Sequence, residues 1–442
     1  TGVGIICQGG LYNGLMRALQ LLGQADNFGN SRVPILALNA VYPLVPEEIA
    51  GFSAGKRAVL VVEEGMPEFI EQEISTLLRR ADLQTALHGK DMLLLAGEYS
   101  TEVLVRGAAR FLGIYAPHLD TSAGGAWPQS VGAVRARAAN QLEAALPVRP
   151  PTFCVGCPER PVFAAMKLAK REIGEPHVSA DIGCHAFATF EPFSQGNSIL
   201  GYGMSLASSA GVAPMMAMRP MAIMGDGGFW HNGLLSGVAS NVLNHGDAVL
   251  VIMKNGYTSA TGTQEIVSSP LESAKHMTQD QSSVHSDRAI ENALRGVGVK
   301  WLRTVYTYRV AEMARTLREA FTTEEPGLKV IVAEAECQLE RQRRIRPILA
   351  RLLKSGKRVV RTRFGVDEDT CTGDHSCVRL SGCPSLTIKP ASDPLKVDPV
   401  AYVNNACGGC GLCGEVAHAA ILCPSFYRAE IVQNPNAWDR FI

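Results

Sequence analysis

The sequence predicts an α/β protein with two open, mostly parallel-sheet domains and, after them, a small cysteine-rich module. Two observations carry the sheet domains. Short continuous apolar runs alternate with amphipathic helical patterns over residues 1–118, and the alternation resumes over 151–337. Strands that are apolar on both faces and separated by helices belong to a buried, largely parallel sheet. The third observation is that seven of the twelve cysteines fall beyond residue 370.

In the first domain GVGIICQ, VPILALN, RAVLVVEE and KDMLLLAG read as strands, while LYNGLMRALQLL, PEFIEQEISTLLRRA and TEVLVRGAARFL have helical periodicity. Residues 119–150 read as a linker: DTSAGGAWPQS, a helix-like VRARAANQLEAAL and the proline-rich PVRPPTF. In the second domain HVSADIG, RPMAIMGD, DAVLVIMKN, KWLRTVYT and LKVIVAEA are the expected strands. The stretch 264–287 is polar and aperiodic, as a loop over a site would be. Residues 338–363 are strongly basic with helical spacing in their first half, and read as a solvated connector rather than a recognition helix. The cysteine module occupies 364–442.

Composition narrows the function. The 442 residues are 46% hydrophobic and 19% charged with zero formal net charge. Nothing here points to nucleic acid or a membrane surface. No apolar run reaches the ~18 residues of a spanning helix, and no signal peptide opens the chain. Clustered thiols in a neutral chain of this size fit a reducing cytoplasm better than a disulfide framework. The chain opens on Thr1 and runs straight into a strand, as expected of a piece of something longer or of a processed subunit.

MAIMGDGGFW places Gly225, Asp226 and Gly227 at the end of an apolar strand, and the next strand, DAVLVIMKNGYT, ends at Asn255, 29 positions after Asp226. An acid and an amide on neighbouring strand tips can share one hard cation such as Mg²⁺, which prefers few carboxylates plus phosphate oxygens. The glycines permit close approach of a diphosphate at the strand-end crevice. The natural third ligand is the main-chain carbonyl of Tyr257. GDG alone is a common strand-to-turn sequence; with Asn255 at this spacing it resembles the thiamine diphosphate signature.

Cys407-Gly-Gly-Cys410-Gly-Leu-Cys413 puts three thiolates into one glycine-rich loop, and Cys383 and Cys423 each precede proline. Triplet spacing with Cys-Pro is how a chain wraps a [4Fe-4S] cluster, whereas zinc favours paired C-x₂-C. In two-cluster ferredoxins the cysteine before proline serves the other cluster. One set is then Cys371, Asp374, Cys377 and Cys423, the other Cys383, Cys407, Cys410 and Cys413. Asp374 stands where a cysteine is expected: either it ligates iron through oxygen, or that corner is empty and the cluster has three irons.

The chain resembles the large subunits of indolepyruvate:ferredoxin oxidoreductases, within the thiamine-dependent 2-oxoacid:ferredoxin oxidoreductases. The matching stretches are FCVGCPERPVFAAMK (153–167), ADIGCHAFATFEP (180–192), GDGGFWHNGLLSGVASNV (225–242), MKNGYTSATGTQ (253–264) and the two cysteine half-motifs. YPLVPEEI and VLVVEEGMPEFIE make residues 1–118 similar to a transketolase C-terminal-type domain. The resemblance implies a thiamine diphosphate-binding domain over 151–337 and a ferredoxin-like module of two [4Fe-4S] clusters over 364–442. Asp226, Asn255 and the Tyr257 carbonyl would hold Mg²⁺, and Gly225, Gly227 and Thr258 would line the diphosphate. Gly183 and Gly203 would lie near the thiazolium, and His185 and His231 are acid–base candidates or satisfied structural histidines. Cys154 and Cys157 resemble a motif for a third, proximal cluster, with Cys184 and Cys337 as its other ligands; buried structural cysteines are the competing reading. Cys7 is left as a buried strand residue. Glu159 departs from the family, which often has histidine there.

The implied reaction is oxidative decarboxylation of an aryl 2-oxo acid, with coenzyme A taking the acyl group and ferredoxin the electrons. A pyrimidine-binding domain carrying the activating glutamate would come from a preceding N-terminal portion, another chain or a dimer mate, and a γ-type or β subunit from elsewhere in an oligomer. Two rival readings stay open: a non-oxidative thiamine-dependent decarboxylase, and an electron-transfer subunit without its own complete active site.

Overall fold

The computed structural model describes residues 2–142, 151–270, 288–419 and 423–441. The chain divides into two compact units, Thr1–Val148 and Arg149–Ile442.

In the first unit the elements run β1 (Val3–Gln8), α1 (Tyr12–Leu21), β2 (Ile35–Leu38), α2 (Pro46–Ser53), β3 (Ala58–Val62), α3 (Phe69–Arg80), β4 (Ala86–His88), α4 (Thr101–Tyr115) and α5 (Ser122–Leu142). The sheet has the order β2-β1-β3-β4 and is parallel throughout. Alternate residues of its central strands feed two cores, one on each face. Val3, Ile5, Cys7, Leu60 and Val62 pack with Leu15, Leu19, Leu104 and Phe111, from α1 and α4. Ile6, Val59 and Val61 pack with Ile49, Ile70 and Ile74, from α2 and α3.

KDMLLLAG is not a strand, which corrects the sequence reading. Ala86–His88 fills the edge position beside β3 instead. Residues 90–97 form turns in which Leu93 is buried while Leu94 and Leu95 are 53% and 54% exposed. Consecutive leucines without alternation fit such a turn as well as a strand. The turn is tied down where Lys90 Nζ donates to the Glu63 carbonyl and Tyr99 Oη to the Leu94 carbonyl, each at 2.6 Å. Most of the stretch read as a linker is α5; residues 143–150 lie outside the described residues.

The second unit opens with α6 (Arg160–Ile173), β5 (Val178–Ala180), β6 (Ser198–Ile199), α7 (Ser205–Val212), β7 (Met221–Gly225) and α8 (Asp226–Gly228). A π-helical segment, Phe229–Ala239, leads into α9 (Ser240–Leu243). Then come β8 (Val249–Lys254), the small hairpin β9 (Tyr257–Thr258) and β10 (Gln264–Glu265), α10 (Ala289–Gly296), β11 (Trp301–Tyr306), α11 (Val310–Thr322) and β12 (Lys329–Glu334). The main sheet, in the order β11-β12-β8-β7-β5-β6, is parallel, with helices on both faces as the apolar runs require. Of the polar stretch 264–287, residues 271–287 lie outside the described residues.

The basic segment forms α12 (Gln338–Lys354), none of whose residues is buried, and runs into β13 (Val359–Val366). The cysteine-rich part continues with α13 (Ser376–Ser381), β14 (Leu386–Lys389), β15 (Val400–Val403), α14 (Leu412–Ala419), β16 (Phe426–Gln433) and α15 (Ala437–Phe441). Its strands make two antiparallel ribbons, β13 with β16 and β14 with β15. Leu380, Leu412 and Val416 belong to the same apolar core as Val162, Phe163 and Met166 of α6. The tail is therefore packed onto the sheet domain. Among the described residues no helix is long and apolar enough to cross a membrane.

Candidate active site and cysteine groups

Parallel strands place their following loops along one edge, where open sheets bind ligands. At that edge of the second unit lies a cavity of about 250 Å³, walled by residues that follow β5, β7 and β8 and by Glu159 just before α6. β7 and β8 pair in register from Met221↔Val249 to Gly225↔Met253, so Asp226 and Asn255 emerge on neighbouring tips.

Asp226 is buried and accepts the N–H groups of Gly227 (3.0 Å), Asn255 (2.9 Å) and Gly256 (2.6 Å). Asn255 Oδ1 accepts the Tyr257 N–H at 3.2 Å and the Ser259 hydroxyl at 2.7 Å. Its Nδ2 donates to Glu159 Oε1 at 3.2 Å. A Cβ on Gly227 would run into Tyr202 Oη and Thr258 Oγ1, so only glycine lets these side chains close over the turn. On Gly225 a Cβ would stand 3.6 Å from His185, an ordinary contact.

Burial disfavours the charged forms of the site's ionisable groups. Burial pushes the Asp226 carboxyl up to about 7. Glu159 is pushed up to about 8 by burial and then by the nearby Asp226 charge, and its Oε2 has no hydrogen-bond partner among the described residues. Burial lowers His185 to about 4, leaving a neutral imidazole in the cavity wall, 3.9 Å from Glu159 and with neither nitrogen hydrogen-bonded among the described residues. Two buried carboxylates beside an amide oxygen and a main-chain carbonyl make a hard-oxygen set suited to a divalent cation. The residues fit Mg²⁺ and a diphosphate.

Of the residues singled out in the sequence, Gly183, His185, Gly225, Asp226, Gly227, Asn255, Tyr257 and Thr258 line this cavity. Gly203 does not; its N–H donates to Asp181 Oδ1 at 2.6 Å behind the wall. His231 is exposed and packs on the Tyr202 ring at 5.0 Å, outside the lining. Asp181 and Tyr202 were not singled out. The Asp181 carboxyl, pushed up to about 6 by burial, binds the Ile182 and Gly203 N–H groups and so ties the LGYG segment to the end of β5. Its ADIG context carries no periodic signal that sets it apart.

The cysteines are free thiols. Among the described residues no three His, Cys, Asp or Glu side chains close on a single-ion site. Mutual electrostatic influence nevertheless sorts them into three groups. Burial and then the charges of Cys423, Cys371 and Asp374 push Cys377 up to about 11. Burial and then Cys410, Cys383 and Cys407 push Cys413 up to about 12. Cys184 is raised by burial, then by Glu159, Cys337 and Cys154, while Cys157 feels Cys184. Two main-chain amides point at sulfur: Ala401 to Cys371 at 3.5 Å and Gly409 to Cys407 at 3.4 Å. Asp374 is exposed, and its Oδ1 accepts the Ser376 N–H at 2.9 Å. The Cys423 thiol lies 2.8 Å from Ser425 Oγ. Cys7 is buried alone in β1 and raised to about 11.

Residues 181–333 match the family of thiamine pyrophosphate enzymes, C-terminal TPP binding domain. The chain is 27% identical over 435 residues to the indolepyruvate oxidoreductase subunit IorA of Pyrococcus abyssi, covering 94% of this chain and 59% of that one. It is 29% identical over 414 residues to the subunit of the same name from Archaeoglobus fulgidus, covering 94% and 58%. It thus spans less than two thirds of the length of these relatives. A solved 2-oxoglutarate:ferredoxin oxidoreductase from Magnetococcus marinus overlays 43% of this chain and 66% of that one, with a TM-score of 0.35 and 17% identity. The chain is therefore related over nearly its whole length to the indolepyruvate oxidoreductase IorA subunits and carries a thiamine pyrophosphate-binding domain.

Proposed function

We propose that the chain is the thiamine- and cluster-bearing part of an oxidoreductase that converts an aryl 2-oxo acid, such as indolepyruvate, to its acyl-CoA. One observation carries this reading. Cys184 lines the Asp226 cavity and also belongs to the cysteine group with Cys154, Cys157 and Cys337. Decarboxylation and electron removal would thus share a wall.

Asp226, Asn255 and the Tyr257 carbonyl would hold Mg²⁺, and Gly225, Gly227 and Thr258 would receive the diphosphate. When bound, thiamine diphosphate supplies carbanion chemistry for loss of CO₂ from a 2-oxo acid. The main-chain amides on Asp226 fix its carboxylate before any ligand arrives. His185, kept neutral by burial, offers the cavity one N–H and one lone pair. The proximal cysteine group would take two electrons singly, and the two tail groups would pass them to ferredoxin, with coenzyme A accepting the acyl group. A pyrimidine-binding domain with the activating glutamate, and a γ-type or β subunit, would complete the oligomer in a reducing cytoplasm.

An anaerobic preparation assayed for iron, sulfide and thiamine diphosphate tests this. About twelve irons per chain is the expectation for three [4Fe-4S] clusters; zinc, or no iron at all, would overturn the reading. Aldehyde release without acceptor reduction would point to a non-oxidative decarboxylase. Unchanged activity of the assembled complex after Asp226→Asn would point to an electron-transfer subunit.

A further inference from the structure

Arg160, the first residue of α6, has no exposed surface at all. Its Nη1 donates to the Ser381 carbonyl of α13 at 3.1 Å, while Nε and Nη2 have no hydrogen-bond partner among the described residues. No carboxylate is found paired with it there. A guanidinium is a permanent cation, and burying one without an anion is strongly unfavourable.

Both ends of the Arg160–Ser381 contact lie next to cysteines in the chain: Arg160 follows Cys157, and Ser381 precedes Cys383. Cys157, just ahead of α6, and Cys410 of the tail pack into one apolar core with the α6 side chains that follow Arg160. Cys154 and Cys410 also face one cavity of about 1080 Å³. Tyr308 marks the same junction: its hydroxyl donates to the Gly156 carbonyl, and it lies within reach of the Cys157 and Cys410 charges. A cluster held by four thiolates is a net anion and becomes more so with each electron.

We propose that Arg160 is a positioning residue for electron transfer, the shared counter-ion of the cluster held by Cys154, Cys157, Cys184 and Cys337 and the cluster held by Cys383, Cys407, Cys410 and Cys413. Its charge raises the reduction potential of both, and its bond to Ser381 fixes α13 against the start of α6. This rests on the iron–sulfur reading above.

The test is an anaerobic redox titration followed by electron paramagnetic resonance on the full chain, comparing wild type with Arg160→Gln, Arg160→Met and Arg160→Lys. The neutral variants should lower two reduction potentials and leave that of the Cys371, Cys377 and Cys423 cluster unchanged, while lysine restores most of the loss. Full iron with unmoved potentials in the neutral variants overturns the proposal, as does an equal shift of all the clusters. Should the neutral variants lose iron, retention by Arg160→Lys supports charge compensation and loss in it too refutes the proposal. Wild type without iron removes the iron–sulfur reading itself, and this proposal with it; unmoved potentials in an iron-replete variant remove only the role of Arg160.

Discussion

Gly409→Ala tests how the cysteine loop is built against the ribbon beneath it. Gly409 has φ of +74°, and a Cβ there would stand 2.5 Å from the Thr362 carbonyl oxygen. The left-handed conformation costs an L-residue about 1–2 kcal/mol. The oxygen cannot retreat cheaply, because Thr362 sits mid-ladder opposite Glu430. The loop must shift instead, loosening the Gly409 N–H from Cys407 Sγ at 3.4 Å, which adds about 1 kcal/mol. With the displacement itself, the total is about 2–4 kcal/mol, or roughly 30- to 700-fold in a folding equilibrium. Gly408→Ala is the matched control: its Cβ would meet Val155 at an ordinary 3.7 Å, and should cost under about 0.5 kcal/mol. Anaerobic urea unfolding followed by visible absorbance, with iron measured per chain, reads both. Gly409→Ala should lower the midpoint and the iron content while Gly408→Ala matches wild type. Equal losses in the two variants, or a greater loss in Gly408→Ala, would refute the steric reasoning.

Three other outcomes follow from the geometry. Asp226→Asn should weaken Mg²⁺-dependent binding of thiamine diphosphate by more than ~100-fold in calorimetry, since losing even an outer-shell partner of a metal ligand costs about 10–100-fold; an unchanged affinity would remove Asp226 from the site. Cys7→Ala should leave iron per chain unchanged, whereas Cys383→Ala should lower it, and in native protein Cys7, buried and raised to about 11, should resist iodoacetamide. Arg358 grips Asp439 of α15 through two bonds of 2.6 Å, holding that carboxyl down at about 2. Because the folded value lies below the unfolded one, near ~4, the pair's contribution is present above pH ~4 and lost as pH falls toward 2. Hydrogen exchange in residues 437–441 should accelerate over that window, and exchange that stays flat would show that the pair does not hold α15.

The central strands of both sheets could be read because burial on both faces leaves an unbroken apolar run: AVLVV for β3, and at the site MAIM for β7 and VLVIM for β8. Once those runs are set side by side in a parallel sheet, Asp226 and Asn255 have nowhere to go but adjacent tips. Short edge elements gave no such signal. Ser198–Ile199 is too brief for a period, and KDMLLLAG has strand composition but lost its place to Ala86–His88, whose backbone pairs with β3. The cysteine groups were partly legible for a related reason: the tail cysteines are brought together by local loops, so spacing and Cys-Pro order them. The Cys154–Cys337 relation is different, since it depends on the loop before α6 meeting the end of β12, which is itself held at the tip of β8 where the Cys337 N–H donates to the Asn255 carbonyl at 3.2 Å.

Buried charge was the least legible feature, and it is where the chemistry concentrates. Glu159 and Arg160 are consecutive and ionisable, and composition alone would send both to the surface. Each is instead at most 3% exposed, Glu159 against Asn255 in the cavity and Arg160 beside Cys154, Cys157 and Cys410. One turn of chain thus puts a carboxyl in the wall of the hard-cation site and a guanidinium on the Ser381 carbonyl, between two cysteine-bearing segments. Folding alone gives little return for burying that pair, since among the described residues neither is hydrogen-bonded to an ion of opposite sign. The return has to come from ligands that are charged themselves: a cation and a diphosphate on one side, anionic clusters on the other. The stability of the apo chain should therefore rise with each ligand loaded, and rise more when Mg²⁺ with thiamine diphosphate and the clusters are loaded together, because both relieve charges carried at the start of α6.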